Sequence, residues 1–223
     1  MDQLRIINFH GIGTPERGLD PGESPFWLPR SLFCRVLDRI QALGDREQIA
    51  ITFDDGNRSD VTIALPELLE RGLKATFFII TGRLDQPGSL RRSDLAALAG
   101  QGMGLGSHGV GHLDLKGLDA EGLTSDLERS RRDLEALSNR QVRTFAIPFG
   151  RYNAKVLGAI RAAGYQHAYT SDGGDARAAE FLQPRRSLRG DMSQDEIEAI
   201  LAGEMPLLRR MRRSVAMGVK RLL

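Results

Sequence analysis

Seven short β-rich runs alternate with amphipathic helical runs along the 223 residues, and few architectures accept that order. The strand runs are Leu4–Phe9, Gln48–Phe53, Ala75–Ile80, Met103–Ser107, Val142–Ile147, Ala168–Ser171 and a weaker one at Leu182–Leu188. Several are apolar on both faces, as strands of a covered parallel sheet are. Between them, Leu32, Phe33, Val36, Leu37, Ile40 and Leu43 recur at helical spacing. Ser59 or Asp60 is placed to cap a second helix that ends at Gly72 and carries a disruptive Pro66. Ser93 is placed to cap a third, and Gly122–Leu137 and Asn153–Ala163 supply two more, the last stopped by Gly164. Such units predict an α/β fold with a parallel sheet, closed as a barrel or open and doubly wound; the pattern itself does not choose.

Length and composition fit one domain with a substantial core: 41% of residues are hydrophobic and 27% charged. The single cysteine, Cys34, excludes an intrachain disulfide, and its place on an apolar helix face predicts a core position. The first residues lack a basic stretch followed by an apolar run, and no apolar stretch is long enough to span a bilayer, so the expected location is cytoplasmic. The net charge of +2 is unevenly spread. From Pro206 onward there are six basic residues and no acidic one, which leaves the body with 25 basic against 29 acidic residues. The body lacks the basic excess of a nucleic-acid enzyme, so no nucleic-acid partner is expected. Two units are predicted: a catalytic domain over 1–205 and a basic amphipathic C-terminal helix over 206–223. That helix, mixing Arg and Lys with Leu, Met and Val, is suited to lie on an anionic membrane surface or to pack on the domain.

In parallel α/β sheets chemistry gathers at the carboxyl ends of strands. The first run ends at His10, the second at Asp54 and Asp55, the fourth at His108 followed by His112, the fifth at Pro148-Phe149-Gly150 and the sixth at Asp172. The fourth histidine, His167, opens its strand and belongs at the opposite end. Asp54-Asp55-Gly56 puts two carboxylates at one strand end, which repel unless a cation binds one and leaves the other as a base. His108 and His112, four residues apart, put two imidazoles on one side of a turn. With Asp55 they make three protein ligands and an open position, the layout of a catalytic zinc site; cobalt, nickel and manganese suit the same donors.

These segments resemble the polysaccharide deacetylases, carbohydrate esterase family 4. Thr52-Phe53-Asp54-Asp55-Gly56 matches the family's first motif. His108-Gly109-Val110-Gly111-His112 matches the second except at Gly109, where Ser or Thr is usual. Phe145-Ala146-Ile147-Pro148-Phe149-Gly150 is similar to the third. The resemblance runs from His10 to about Arg189. It implies a distorted seven-stranded β/α barrel and a divalent metal, most readily zinc, held by Asp55, His108 and His112. It also implies Asp54 as general base, and N-deacetylation of amino sugars in a polysaccharide, an oligosaccharide or a lipid-linked precursor. The Phe149 N–H would then stabilise the oxyanion, with Pro148, Phe149, Asp172 and Arg186 at the substrate. An O-acetyl ester or another small amide is the alternative substrate, and a carbohydrate-binding protein without turnover the alternative class.

Two departures reshape the expected site. The third motif often carries an arginine that braces the base; Ala146 stands there, and Arg185 or Arg186 is the replacement to look for. The family's acid histidine near the last strand is missing from Arg185-Arg186-Ser187-Leu188-Arg189-Gly190, so His10 is assigned either as the acid or as support for the metal. Asn57 is placed to line the site, while Asp60 reads as a helix cap. Trp27, in the long Gly11–Pro29 loop, stacks on sugar or anchors the loop.

Overall fold

The protein is described by a computed structural model covering residues 3–43 and 48–204. The expected C-terminal helix over 206–223 lies outside the described residues. Among the described residues eleven strands form: β1 Gln3–Phe9, β2 Gly11–Ile12, β3 Trp27–Leu28, β4 Ile49–Phe53, β5 Ala75–Ile79, β6 Gly104–Ser107, β7 Thr144–Ala146, β8 His167–Thr170, β9 Ala176–Arg177, β10 Leu182–Pro184 and β11 Arg186–Ser187. Six α-helices accompany them among the same residues: α1 Arg30–Ala42, α2 Leu65–Glu70, α3 Arg92–Gly100, α4 Ala120–Ser138, α5 Ala154–Ala162 and α6 Gln194–Leu201.

The main sheet runs β10-β8-β7-β6-β5-β4-β1-β11, and every neighbouring pair on that path is parallel. Its two ends belong to one stretch of chain. Leu182–Pro184 pairs with β8 and Arg186–Ser187 pairs with β1, so the seventh strand run closes the sheet on itself. This is the distorted seven-stranded β/α barrel, with the open, doubly wound alternative excluded by that closure. The break falls at Arg185, whose N–H donates to the Thr170 carbonyl at 3.0 Å while Leu188 N–H reaches Asn8 on the other side at 2.9 Å.

Alternation along the strands separates two apolar layers. Phe9, Phe53 and Phe77 stack in succession with centroids 5.2 and 4.8 Å apart, and Phe33 of α1 meets Phe9 edge-on at 5.1 Å, between sheet and helix. Phe78, of opposite phase to Phe77, and Tyr169, three strands along the sheet, meet at 4.8 Å inside the barrel. Gly106 makes room for them: a Cβ there would lie 2.4 Å from the Phe78 ring.

Local chemistry explains the helix ends, and corrects two expectations. Asp119 and Asn153 cap α4 and α5 by accepting the N–H groups of Gly122 and Val156 at 2.8 and 3.1 Å. Ser93 does not cap α3; Asp94 accepts the Arg91 N–H instead, at 2.7 Å. Asp60 caps nothing through its side chain. Because Pro66 lacks an N–H, the turn ahead of it widens, and Leu65 N–H reaches back five residues to the Asp60 carbonyl. Ser59 uses its hydroxyl to accept the Ile12 N–H at 3.2 Å. Cys34 is half-buried beside Arg30 and Glu67 and does not sit in the core, because it falls at the edge of the stripe formed by Phe33, Val36, Leu37 and Ile40. Among the described residues no helix is long and apolar enough to cross a membrane.

Candidate active site

The carboxyl ends of the strands open into a cavity of about 620 Å³. His10, Asp54, Asp55, His108 and His112 line it together, as do Phe149, Asp172 and Arg186. Pro148 is buried and outside the lining, and His167 opens β8 with its Nδ1 3.0 Å from the Glu180 carbonyl. Three site residues take left-handed backbone angles: Asp55 at φ 77°, His112 at φ 53° and Phe149 at φ 57°. Such strain persists where surrounding structure fixes it, and it gathers at functional sites. At Asp55 the kink has an evident use. Consecutive strand residues face opposite ways, and the turn at Asp55 and Gly56 brings both carboxylates to the same cavity.

Asp54 is held from inside the barrel. Arg185 grips it with two nitrogens, at 2.6 and 2.7 Å, and Asn8 donates to it at 3.1 Å. Asn8 in turn accepts from Arg185 at 2.8 Å and from Thr52 at 2.7 Å. The guanidinium lies 5.2 Å from the Phe78 ring centre and 5.8 Å from that of Tyr169. Burial alone would raise Asp54, but Arg185, His108 and His10 outweigh it and hold the carboxyl far below the usual carboxylate range. Of the two arginines anticipated here, Arg185 is the one that grips Asp54. Arg186 commits its guanidinium to Asp175 at 2.8 Å and to the carbonyls of Ile200, Gly203 and Glu204.

Asp55, His108 and His112 each present one donor atom, all within 4.8 Å of one another. His108 and His112 Nε2 lie 3.6 and 3.8 Å from Asp55 Oδ1, an oxygen that is buried with no hydrogen-bond partner among the described residues. Tetrahedral zinc with bonds of about 2.1 Å separates its ligands by roughly 3.4 Å, so the set fits such a cation. The ring proton of His108 is fixed as well. Its Nδ1 sits 2.8 Å from the Ala146 carbonyl, which can only accept, so Nδ1 carries a proton and, in the neutral ring, Nε2 holds the lone pair. Burial, then the neighbouring His108, lowers His112 to about 4, leaving it neutral as a ligand must be.

His10 stands beside Asp54, with Nε2 3.9 Å from Asp54 Oδ2 and its ring packed on Phe26 at 4.7 Å. Phe149 is 56% exposed at the rim, 4.4 Å from the His112 ring. Asp172 accepts from the Tyr152 hydroxyl at 2.8 Å. Trp27 anchors the loop: its indole N–H donates to Glu23 at 3.0 Å, and the ring covers Gly11 so closely that a Cβ there would collide with it. Arg17 ties the same loop to Asn57, at 3.0 Å.

Residues 43–168 match the sequence model of the polysaccharide deacetylase domain. The chain belongs to the polysaccharide deacetylase family. The Bacillus subtilis protein YxkH, itself assigned to these deacetylases, is 32% identical over 128 residues, 57% of this chain and 46% of its own. A chitooligosaccharide deacetylase of Azorhizobium caulinodans is 32% identical over 124 residues, 54% of this chain and 56% of its own. The matches thus span about half the length of these relatives. Among solved structures, the Streptococcus pyogenes deacetylase PplD, in complex with acetate, superposes with a TM-score of 0.77 at 24% identity, over 92% of this chain and 99% of that one. That likeness carries the fold.

Two residues around the site were not anticipated from the sequence, and a third was read as a cap. Asn8 lies two residues before His10 on β1, so its inward direction follows from strand period. Asp126 falls in the buried stripe of α4 with Leu123, Leu127 and Leu134, and a carboxylate on an apolar stripe is itself a signal. Asp60, read from the sequence as a helix cap, is 0% exposed with both carboxyl oxygens unpartnered among the described residues.

Proposed function

We propose that this deacetylase family member removes N-acetyl groups from amino sugars of a glycan or glycan precursor, using a divalent cation held by Asp55, His108 and His112. The observation that carries the reading is the pairing of an anchored, ionised Asp54 with an adjacent three-donor cluster whose buried carboxylate oxygen lacks a partner among the described residues. A bound cation would supply Lewis-acid polarisation of the acetyl carbonyl and make water acidic enough to attack near neutral pH. Asp54, turned by Arg185 and Asn8, takes a proton from the attacking water. The new C–O bond places negative charge on the carbonyl oxygen, which the Phe149 N–H stabilises. When the C–N bond breaks, His10 delivers a proton to the leaving nitrogen, and acetate and a free amino sugar depart. Phe149, Arg186 and Asp172 border the substrate, with Pro148 setting the turn behind Phe149.

The test is acetate release from N-acetylated chitooligosaccharides by the zinc-reconstituted chain. Asp54→Asn should lower kcat by roughly 10²–10⁴-fold. Unchanged release in that variant would overturn the role of Asp54, and release only from acetyl esters would move the substrate class.

We further propose that the basic segment over 206–223 brings the 1–205 catalytic unit to anionic membrane, where a lipid-linked sugar would be met. The support is positional: Glu204, the last described residue, lines the cavity, and Arg186 holds the Gly203 and Glu204 carbonyls. Co-sedimentation of the full chain, but not of 1–205, with phosphatidylglycerol vesicles is the expected result; equal pelleting of both removes the idea.

A further inference from the structure

The backbone carrying the two histidines is a loop of glycines, and glycine does not hold a shape by itself. Four consecutive N–H groups are nevertheless all engaged. His108 N–H donates to the Ile79 carbonyl at 2.9 Å and Gly109 N–H to the Ser107 hydroxyl at 3.1 Å. Val110 and Gly111 N–H both donate to one oxygen of Asp126, at 3.0 and 3.2 Å. The carbonyls of Gly109 and Val110 accept from Thr81 and Gly82, at 3.1 and 3.0 Å. Of these anchors, Asp126 alone is a side chain reaching in from the helix layer.

Its position also accounts for Gly109. That residue sits at φ 80°, and a Cβ would lie 2.6 Å from Asp126 Oδ2. A side chain at position 109 and a carboxylate at position 126 therefore compete for one space, and this chain has filled it from the helix.

We infer that Asp126 is a positioning residue of the metal centre, fixing the Gly109–Gly111 backbone from α4 so that His108 and His112 meet Asp55. The inference rests on the reading of those three residues as metal ligands. Asp126 stands outside the three-donor cluster, and its hydrogen bonds go to the backbone between the two histidines. One of its oxygens has no partner among the described residues, so an amide in its place keeps the working acceptor.

The experiment measures Zn²⁺ affinity of the metal-stripped full chain by competition with a chromophoric chelator. Asp126→Ala should weaken zinc by about 10- to 100-fold, the usual cost of losing a group that orients ligands. Asp126→Asn should stay within roughly 3-fold of the parent on the same scale. Asp119→Ala, which uncaps the same helix without touching the loop, should leave zinc affinity unchanged. Parent-like affinity in Asp126→Ala, or an equal loss in Asp119→Ala, overturns the assignment while leaving the metal site standing. Failure of the parent chain to bind zinc overturns the metal reading, and the inference with it. Should Asp126→Ala not fold, Asp126→Ser takes its place with the same expected loss; failure of both makes Asp126 a determinant of folding and overturns the positioning role.

Discussion

The two sides of the cavity are held by different means. Asp54 is fixed from within the barrel by charge, through a two-point ion pair with Arg185 and a relay of Asn8 and Thr52. The histidine loop is fixed from outside the barrel wall by uncharged backbone anchors and one helix carboxylate. The first side is complete without a ligand: its buried charge is neutralised. On the second, Asp55 leaves an oxygen unpartnered among the described residues and His108 presents Nε2 to that oxygen. A site that binds a cation must be unsatisfied where the cation goes, whereas a base must be ordered before the reaction begins.

Breaking the first side should have the largest effect. Arg185→Met leaves a buried carboxylate without its cation and should cost about 3–5 kcal/mol of unfolding free energy at pH 7, read by urea denaturation. The Asp54 carboxyl is depressed in the folded state, so its contribution is present above the unfolded value of about 3.9 and is lost as pH falls through the folded one. The stability gap between parent and Arg185→Met should therefore narrow in strong acid. Zinc-induced stabilisation should survive in this variant, since the second side is untouched.

Breaking the second side should do the reverse. Zinc at about 100 times its Kd should stabilise the parent by about 2.7 kcal/mol, and His112→Ala should abolish that increment with little change in the metal-free protein. Thermal melts with and without zinc measure both.

Asp60 lies behind both sides and sharpens the contrast. Burial, then the charges of Asp55 and Asp54, raise its carboxyl well above the ordinary value. A raised folded value adds stability that is fully present below the unfolded pKa and lost as pH rises through the folded one. Asp60→Asn should therefore be stabilising near and above neutrality, by on the order of 1 kcal/mol, and neutral or slightly costly near pH 3, as paired urea titrations at the two pH values would show. The smallest effect belongs to a surface control. Arg39 and Glu198 pair at 2.9 Å with both side chains largely in solvent, and Arg39→Ala should change stability by less than about 1 kcal/mol.

Much of this molecule was legible in its sequence. The seven strand runs differ from the observed strands by a few residues at their ends, and the residues just beyond them do converge on one cavity. Local physics is the reason. A strand buried on both faces is written as an apolar run, and a parallel sheet carries the residues after every such run to the same end. The same local physics misplaced Asp60, Ser93 and Cys34. Cap chemistry was available at the first two and apolar spacing at the third. Packing beside Asp55 and Asp54, the Asp94 side chain and Glu67 decided otherwise.

The order of units, and the set of polar residues at their ends, were determined by the sequence itself. Barrel closure belonged to the tertiary structure, because it required one stretch to pair with β8 and then with β1, contacts far apart in the chain. The same break decided between Arg185 and Arg186. Successive strand residues face opposite ways, so only the register on both sides of position 185 settles which arginine enters the barrel and grips Asp54.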